Sequence, residues 1–397
     1  MVSLKIAVVS TALPPAPSGQ AIVLGRLLRD RDARCWFFSD NPDTFVHNSQ
    51  ESLGEYRLLR PLLFGLSMRD LRGPLGELNA HLGMMRPIRI RAAQILEQLA
   101  TERPDVVIGC SGNPFDLPAS ALVAKHLGTR FIAYLFDDPV YQWPRGLVRK
   151  IVRRLESRWA SQAECVICPN TALADVIEQR TGRAPIVISN PRDDAIEAAA
   201  ADDADFANIP GRPVRILYSG AVSESQRDAL ANLANVVGRA NGKFELHIFT
   251  QQPHERLAEY GLLNPYVFRR GHVSAHQIAL QRDNADILFL PLSFNSPIQE
   301  VLMTASPGKM GEYLASKRPL LVHAPKGSFV ARFMTTHRAG HVVDVSSPVA
   351  LATALDELVG SADLRADLVR SALKASELFS ERGARDRFWE VLATRKS

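Results

Sequence analysis

The 397-residue chain is 46% hydrophobic and 22% charged, an ordinary globular balance with room for about two domains of roughly 150 to 200 residues each, which excludes a short disulfide-held or fibrous protein. Its 47 Lys and Arg against 42 Asp and Glu leave a formal charge of +5, so a basic partner surface would have to come from local clustering. Four cysteines, with no paired Cys-x-x-Cys units, exclude a secreted disulfide framework and a zinc ribbon and point to a reducing, cytoplasmic compartment.

The opening MVSLKIAVVS is interrupted by lysine and passes straight into a Pro/Gly turn, so it reads as a strand and not as a signal peptide. Nowhere do about 18 apolar residues run without charge, which argues against a membrane-spanning helix. Lys5 to Ser10 is a predicted buried strand, TALPPAPSGQ a turn-rich loop, and Ala21 to Leu28 a helix. The alternation continues with helices at 88–101, 118–127 and 171–179 and strands at 105–109, 131–136, 164–168 and 185–189. Alternating strands and helices imply parallel sheet.

After Asn190 and Pro191 the chain turns acidic and alanine-rich, then reaches Gly/Pro punctuation before the strand Val214 to Tyr218. Further predicted strands lie at 244–249, 267–269, 287–290, 319–322 and 340–343. The expected organisation is an α/β fold of two Rossmann-like domains: 1–192 for the acceptor, a linker 193–212, 213–375 for the donor, and a C-terminal helix 376–397 returning to the first domain through Phe388 and Trp389, with packing on the second domain as the alternative. Ligands of such sheets sit beyond the carboxyl ends of the strands, so the default site is a cleft.

The loop Pro14 to Gln20 reads either as plain turn chemistry or as a ligand loop in which Gly19 lets backbone amides approach an anion or sugar. The segment TASPGKMGEYLASKRP, Thr304 to Pro319, reads as a polar loop entering a helix. Ser306 and Gly308 leave amides exposed, Lys309 can reach phosphate, and Glu312 lies about one turn on. The bland alternative for Lys309 and Glu312 is a surface capping pair. Asp137 and Asp138 follow the strand FIAYLF, where carboxylates either orient hydroxyls or cap a turn, and only one need face a ligand. Cys165 and Cys168 read as core packing. Val140 to Trp159 carries six basic residues against one acid, Glu156, with two tryptophans. It is either a solvated helix or a surface for an anionic membrane or acceptor. No nucleic-acid recognition motif accompanies the charge.

With these residues in view the chain resembles the retaining GT-B glycosyltransferases of the family-four type, which transfer sugars from nucleotide donors. Pro307 to Pro319, PGKMGEYLASKRP, follows the Pro-Ser-Lys-x-x-Glu-Tyr-x-Ala-x-Gly-x-Pro pattern of that family. Gly19 and Gln20 match its first loop, Ser219 and Gly220 its second-domain donor loop, and Gly271 to Val273 (GHV) its base-pocket border. The resemblance implies that Glu312 holds the nucleotide ribose. It sets Lys309 and the amides around Ser306 and Gly308 about phosphate or donor sugar, and His272 near the base. Three departures stand out: Thr304 where many relatives have a first glutamate, Ala221 after Gly220 where they have arginine, and Phe136 where they have the histidine of a His-Asp pair. Arg227 is then a candidate for neutralising phosphate.

The expected function is transfer of a sugar from a nucleotide-sugar donor to a hydroxyl of a glycan or lipid-linked acceptor in cell-envelope polysaccharide synthesis. Asp137, Asp138 and Lys309 are the catalytic candidates; no metal and no cofactor beyond the donor are expected, nor a nucleic-acid partner. Attachment to the cytoplasmic membrane face stays open, as do two other readings, a sugar-nucleotide epimerase and an inactive nucleotide-sugar-binding subunit.

Overall fold

The computed structural model describes residues 3–29, 32–43, 53–62, 74–143, 145–194 and 212–394, with backbone alone for 74–82. The chain forms two compact units, residues 1–191 with 382–397, and residues 192–381. Most of the expected linker lies outside the described residues.

In the first unit the apolar run LKIAVV forms β1 (Leu4–Val9), whose last four residues are completely buried. The Ser18 side chain then accepts the Ala21 amide and starts α1 (Gly19–Leu28), satisfying one of the orphan donors of a helix N-terminus. The sheet has seven parallel strands. In chain order they are β1, β2 (Ala33–Ser39), β3 (Glu55–Leu58), β4 (Val106–Cys110), β5 (Arg130–Tyr134), β6 (Cys165–Cys168) and β7 (Ile186–Val187), arranged β3-β2-β1-β4-β5-β6-β7. The spatial order reverses between β1 and β4, which pair in register from Ile6 with Val106 to Val9 with Gly109. That is the crevice where such sheets take ligands.

Strands β2 and β3 are additions to the sequence expectation. The CWFF core of β2 is a buried aromatic run between β1 and β3. The EYRL of β3 is an edge strand with no apolar pattern, so periodicity carries no signal for it. The helices that bear on the site are α2 (Pro74–Leu99), α3 (Asp116–Leu127), α4 (Leu147–Gln162) and α5 (Thr171–Thr181). Cys168 is buried, and desolvation pushes its thiol up to about 12, in keeping with packing and against redox chemistry.

The second unit has six parallel strands: β8 (Val214–Ser219), β9 (Phe244–Phe249), β10 (Val267–Arg270), β11 (Ile287–Pro291), β12 (Leu320–His323) and β13 (His341–Val343), in the order β10-β9-β8-β11-β12-β13. Here the reversal falls between β8 and β11. The relevant helices are α6 (Arg227–Arg239), α7 (His254–Glu259), α8 (Ala275–Asp283), α9 (Gln299–Thr304) and α10 (Met310–Leu314), followed by α11 (Phe329–His337), α12 (Pro348–Gly360) and α13 (Ala362–Ser376).

The tail returns to the first unit at Arg382 and not at residue 376. Residues 377–379 stay with the second unit because Phe379 is 1% exposed there, edge-on to Phe333 and beside Gly311. The final helix, α14 (Glu381–Ala393), buries Phe388 near the Tyr134 ring, and the Trp389 indole donates to the Leu27 carbonyl at 2.9 Å. Of the two packing alternatives for these aromatics, the structure has the one on the first unit. Among the described residues no helix is long and apolar enough to cross a membrane.

Candidate functional site

In the second unit the donor-side candidates gather at the β8–β11 reversal. Near the end of β8 lies Tyr218, fully buried, whose hydroxyl donates to the Ala221 carbonyl and pins the loop that follows. Gly220 in that loop has φ +132°, a conformation that side chains other than glycine's rarely adopt. A Cβ built there would lie 2.6 Å from Lys309 Nζ. Lys309 places its ammonium 3.9 Å from the centre of the Tyr218 ring, a cation–π distance. Among the described residues no carboxylate comes within ion-pair distance of it. Desolvation lowers its pKa to about 7, against a smaller opposing effect of Glu312. The geometry is that of a cation held against a neutral face beside a bare backbone.

Tyr313 fixes this arrangement. Its buried hydroxyl accepts the Ser219 backbone N–H at 2.9 Å and lies 3.1 Å from Ser219 Oγ, so the helix carrying Glu312 is tied to the end of β8. Glu312 is half-buried and accepts from Arg282 Nη1 at 2.8 Å, the arginine being 5% exposed. The loop after β11 is held as firmly. Asp228 accepts the amides of Phe294 at 3.0 Å and Asn295 at 2.8 Å, and the Ser293 amide donates to the Ser225 carbonyl. The loops after β8 and β11 therefore form one cross-tied rim.

Several expected residues sit elsewhere. The polar loop enters a helix of only five residues, Met310–Leu314, with Lys309 itself at the N-cap and no side-chain cap bond. Exposed helix-start amides are therefore a weak anchor for an anion, and the lysine is the stronger feature. Thr304 is buried, with its hydroxyl donating to Val301 within α9. Ser306 is buried as well, whereas Gly308 is exposed and a Cβ there would meet nothing within 4 Å. Arg227 is exposed, paired with exposed Glu224 at 3.3 Å and near the Tyr260 ring. No contact joins it to Lys309, Ser219 or Gly220 among the described residues. His272 is exposed after β10, two strands from β8 and hence roughly 10 Å from it along the sheet.

In the first unit, the loops after β1 and β4 meet at the reversal. Gln20 Oε1 accepts from Thr11 Oγ1 at 3.2 Å. Gly112, with φ +153°, packs so close to Thr11 that an added Cβ would lie 2.4 Å from its hydroxyl. Gly19, by contrast, has open space where its Cβ would be. Ser111 Oγ accepts the Phe136 amide at 2.9 Å and links the loop after β5 to that after β4.

The adjacent aspartates separate completely. Asp137 is solvent-exposed, yet crowding desolvates its carboxyl, and with the neighbouring Asp138 charge this raises its pKa. Asp138 is fully buried, accepts the Val140 and Tyr141 amides at 2.8 and 2.9 Å, and pairs with Arg180 at 2.8 Å. Its carboxylate is engaged by the fold on these three partners. The basic stretch divides similarly. Ile151, Val152, Leu155 and Trp159 of α4 are in the core, and the Trp143 indole donates to the Pro139 carbonyl at 3.1 Å. Lys150, Arg154 and Arg158, spaced by four, are exposed. Trp159 is thus spent on the protein interior and Trp143 is half-buried against it, while the charged residues lie on the exposed face.

Sequence reasoning missed Tyr218, Asp228, Arg282 and Arg180 as site-building residues. An aromatic just before a Ser-Gly turn is a signal for Tyr218. Nothing local marks the arginines, whose partners are distant in the chain.

Residues 21–195 match the family described as Glycosyltransferase Family 4. A search of curated proteins finds no significant match. Among solved structures, Anabaena HepE (Alr3699), crystallised with UDP, is similar at TM-score 0.68 and 14% identity, over 98% of this chain and all of that one. A Rickettsia africae glycosyltransferase matches at 0.69 and 14%, over the whole of both chains. WaaG, a glycosyltransferase involved in lipopolysaccharide biosynthesis, matches at 0.66 and 12%, over 98% and 100%. These likenesses establish the GT-B fold of both sheets, and the family match, over residues 21–195, marks a Glycosyltransferase Family 4 segment in the first unit.

Proposed function

We propose that the second unit binds a nucleotide-sugar donor at the β8–β11 rim and that the sugar is transferred, with retention, to a hydroxyl of a glycan or lipid-linked acceptor in cell-envelope polysaccharide synthesis. The observation that carries this reading is the Lys309 ammonium over Tyr218, 2.6 Å from where a Gly220 Cβ would stand. A cation with no carboxylate partner among the described residues, facing Gly220, which has no side chain, suits a diphosphate, whose approach a Cβ would block. Lys309 would stabilise the charge that develops on the leaving diphosphate, the usual dominant contribution of a preorganised cation. Glu312, oriented by Arg282, would accept a ribose hydroxyl. Ser219 and Gly220 would lie along the phosphates.

On the acceptor side, Asp137 is the group suited to orient the attacking hydroxyl, since its carboxylate is exposed and its neighbour is not. Gly19 and Gln20 would border the same ligand. Retention would follow from attack on the face from which the diphosphate leaves, with no protein nucleophile assigned. HepE is crystallised with UDP, which makes uridine diphosphate sugars the first donors to try. The exposed Lys150, Arg154 and Arg158 would set the protein against an anionic membrane face, where a lipid-linked acceptor is presented.

The test is incubation with a panel of nucleotide sugars and a membrane extract, followed by mass detection of transferred sugar and determination of its anomeric configuration. An acceptor-dependent product with the donor's configuration is expected. Donor hydrolysis or epimerisation alone, or an inverted product, overturns the reading.

A further inference from the structure

Asp138 is buried with its carboxylate bonded within the protein, yet it adjoins Asp137, and what holds it is a three-way ionic bridge. Arg180, at the end of α5 and with its side chain 5% exposed, directs Nη1 to both oxygens of Asp138 at 3.0 and 2.8 Å. Its Nη2 donates to Glu156 Oε1 of α4 at 2.7 Å. Both carboxylates are completely buried. Arg153 approaches the other oxygen of Glu156 at 3.5 Å from the solvent side.

The same guanidinium lies 5.0 Å from the centre of the Tyr141 ring, and Arg149 of α4 lies 5.2 Å from it. Arg149 also donates to the carbonyls of Trp143 at 2.7 Å and Tyr141 at 3.2 Å. Arg180 of α5 and Arg149 of α4 thus tie the segment from Asp138 to Trp143 to these two helices. A buried bridge of this kind is poorly explained by stability, since well-packed apolar residues often serve as well or better. What it uniquely supplies is one geometry for the groups it joins.

We infer that Arg180 is a positioning residue for the acceptor reaction: by clamping Asp138 to Glu156 it fixes the backbone from which Asp137 projects. This rests on the proposal that Asp137 orients the acceptor hydroxyl. Arg180 touches no substrate and acts only through the loop. Its conservative replacement, Arg180→Lys, keeps the buried charge but cannot span two carboxylates, because an ammonium lacks the planar fork.

The experiment is a double-variant cycle on the full chain with Asp137→Asn, Arg180→Lys and their combination. The apparent KM for a membrane extract is read at saturating nucleotide sugar, with the donor KM read in parallel. Each single variant is expected to raise the extract KM about tenfold, and the double variant to be no worse than Asp137→Asn alone, because residues acting through one group are not additive. The donor KM is expected to stay unchanged. Additive losses of about a hundredfold in the double variant, or an unchanged extract KM in Arg180→Lys, overturn the proposal while leaving Asp137 in place. An unchanged KM in Asp137→Asn overturns the Asp137 reading and the positioning role together.

If Arg180→Lys fails to fold, Glu156→Gln takes its place; it loosens one arm of the bridge and is expected to raise the extract KM about threefold. A readout that needs no acceptor is the ¹⁵N-indole signal of Trp143, which is expected to shift in Arg180→Lys and Glu156→Gln and to stay put in Asp137→Asn. No shift in the first two overturns the clamp.

Discussion

Charges at the carboxyl edges of the two sheets are handled in opposite ways. In the first unit, exposed Asp137 apart, arginines cancel them: Asp138 and Glu156 share Arg180, and Arg91, itself fully buried, stands between Asp40 and Asp116. Burial raises Asp116 to about 6 and Glu156 to about 7 despite their arginines, a measure of how much desolvation opposes charge there. In the second unit Lys309 faces an aromatic ring, and its nearest acid, Glu312, is engaged by Arg282. A charge matched within its own domain holds the scaffold, and a charge matched only by a quadrupole is poised for a ligand of opposite sign.

The sharpest way to break this contrast is to remove one half of a cancelled pair. Asp138→Ala leaves Arg180 facing a single buried carboxylate and strips the amides of Val140 and Tyr141 of their acceptor. The expected loss is about 3–5 kcal/mol, read as a fall in the denaturation midpoint. Exposed Asp137→Asn is expected to move stability by no more than about 0.5 kcal/mol. Equal destabilisation by the two would erase the distinction between scaffold and site in this loop.

Next in size is Lys309. Lys309→Met is expected to keep the fold, since the stem packs as before, and to lower transfer by about 10²–10³, the usual loss on removing a preorganised charge-stabilising donor. Its pH dependence has a definite sign. The cationic form is the one that meets a diphosphate, and with a pKa of about 7 in the free protein it is lost as pH rises. Donor kcat/KM is therefore expected to fall above about pH 7 and to plateau below it. In Lys309→Arg, always protonated, that descending limb is expected to vanish. A limb that persists assigns the titration to another group.

How far the sequence reached differs between the two units for the same physical reason. The six strands of the second unit, the segment 304–319 and the returning aromatics at 388 and 389 were legible because each is a local pattern: an apolar run, a turn before a helix, a pair of large side chains. The strand 55–58 was not, because EYRL at a sheet edge has no apolar period to read. Asp137 and Asp138 are indistinguishable as letters. The sorting agent, Arg180, lies 42 residues away from Asp138, and only the fold brings them together. Likewise PGK marks Lys309, but the ring beneath it belongs to Tyr218 on another strand.

A finer test of the second unit compares the two glycines beside Lys309, Gly220 and Gly308. Gly220→Ala forces a side chain into a residue with φ +132° and places its Cβ 2.6 Å from Lys309 Nζ, so either the loop or the ammonium must shift. A strained backbone of this kind costs about 1–3 kcal/mol, and displacing Lys309 is expected to raise the donor KM about tenfold. At Gly308 the added methyl meets nothing within 4 Å and φ lies outside the strained region. Gly308→Ala is therefore expected to leave stability within about 0.5 kcal/mol. Its effect on donor KM reads directly whether the diphosphate approaches the backbone on the 308 side of Lys309 or on the 220 side. If Gly308→Ala raises the donor KM with no change in stability, the ligand itself is the missing neighbour of that methyl. If only Gly220→Ala does so, the phosphates lie along the end of β8, where Tyr313 has fixed Ser219 at 2.9 Å.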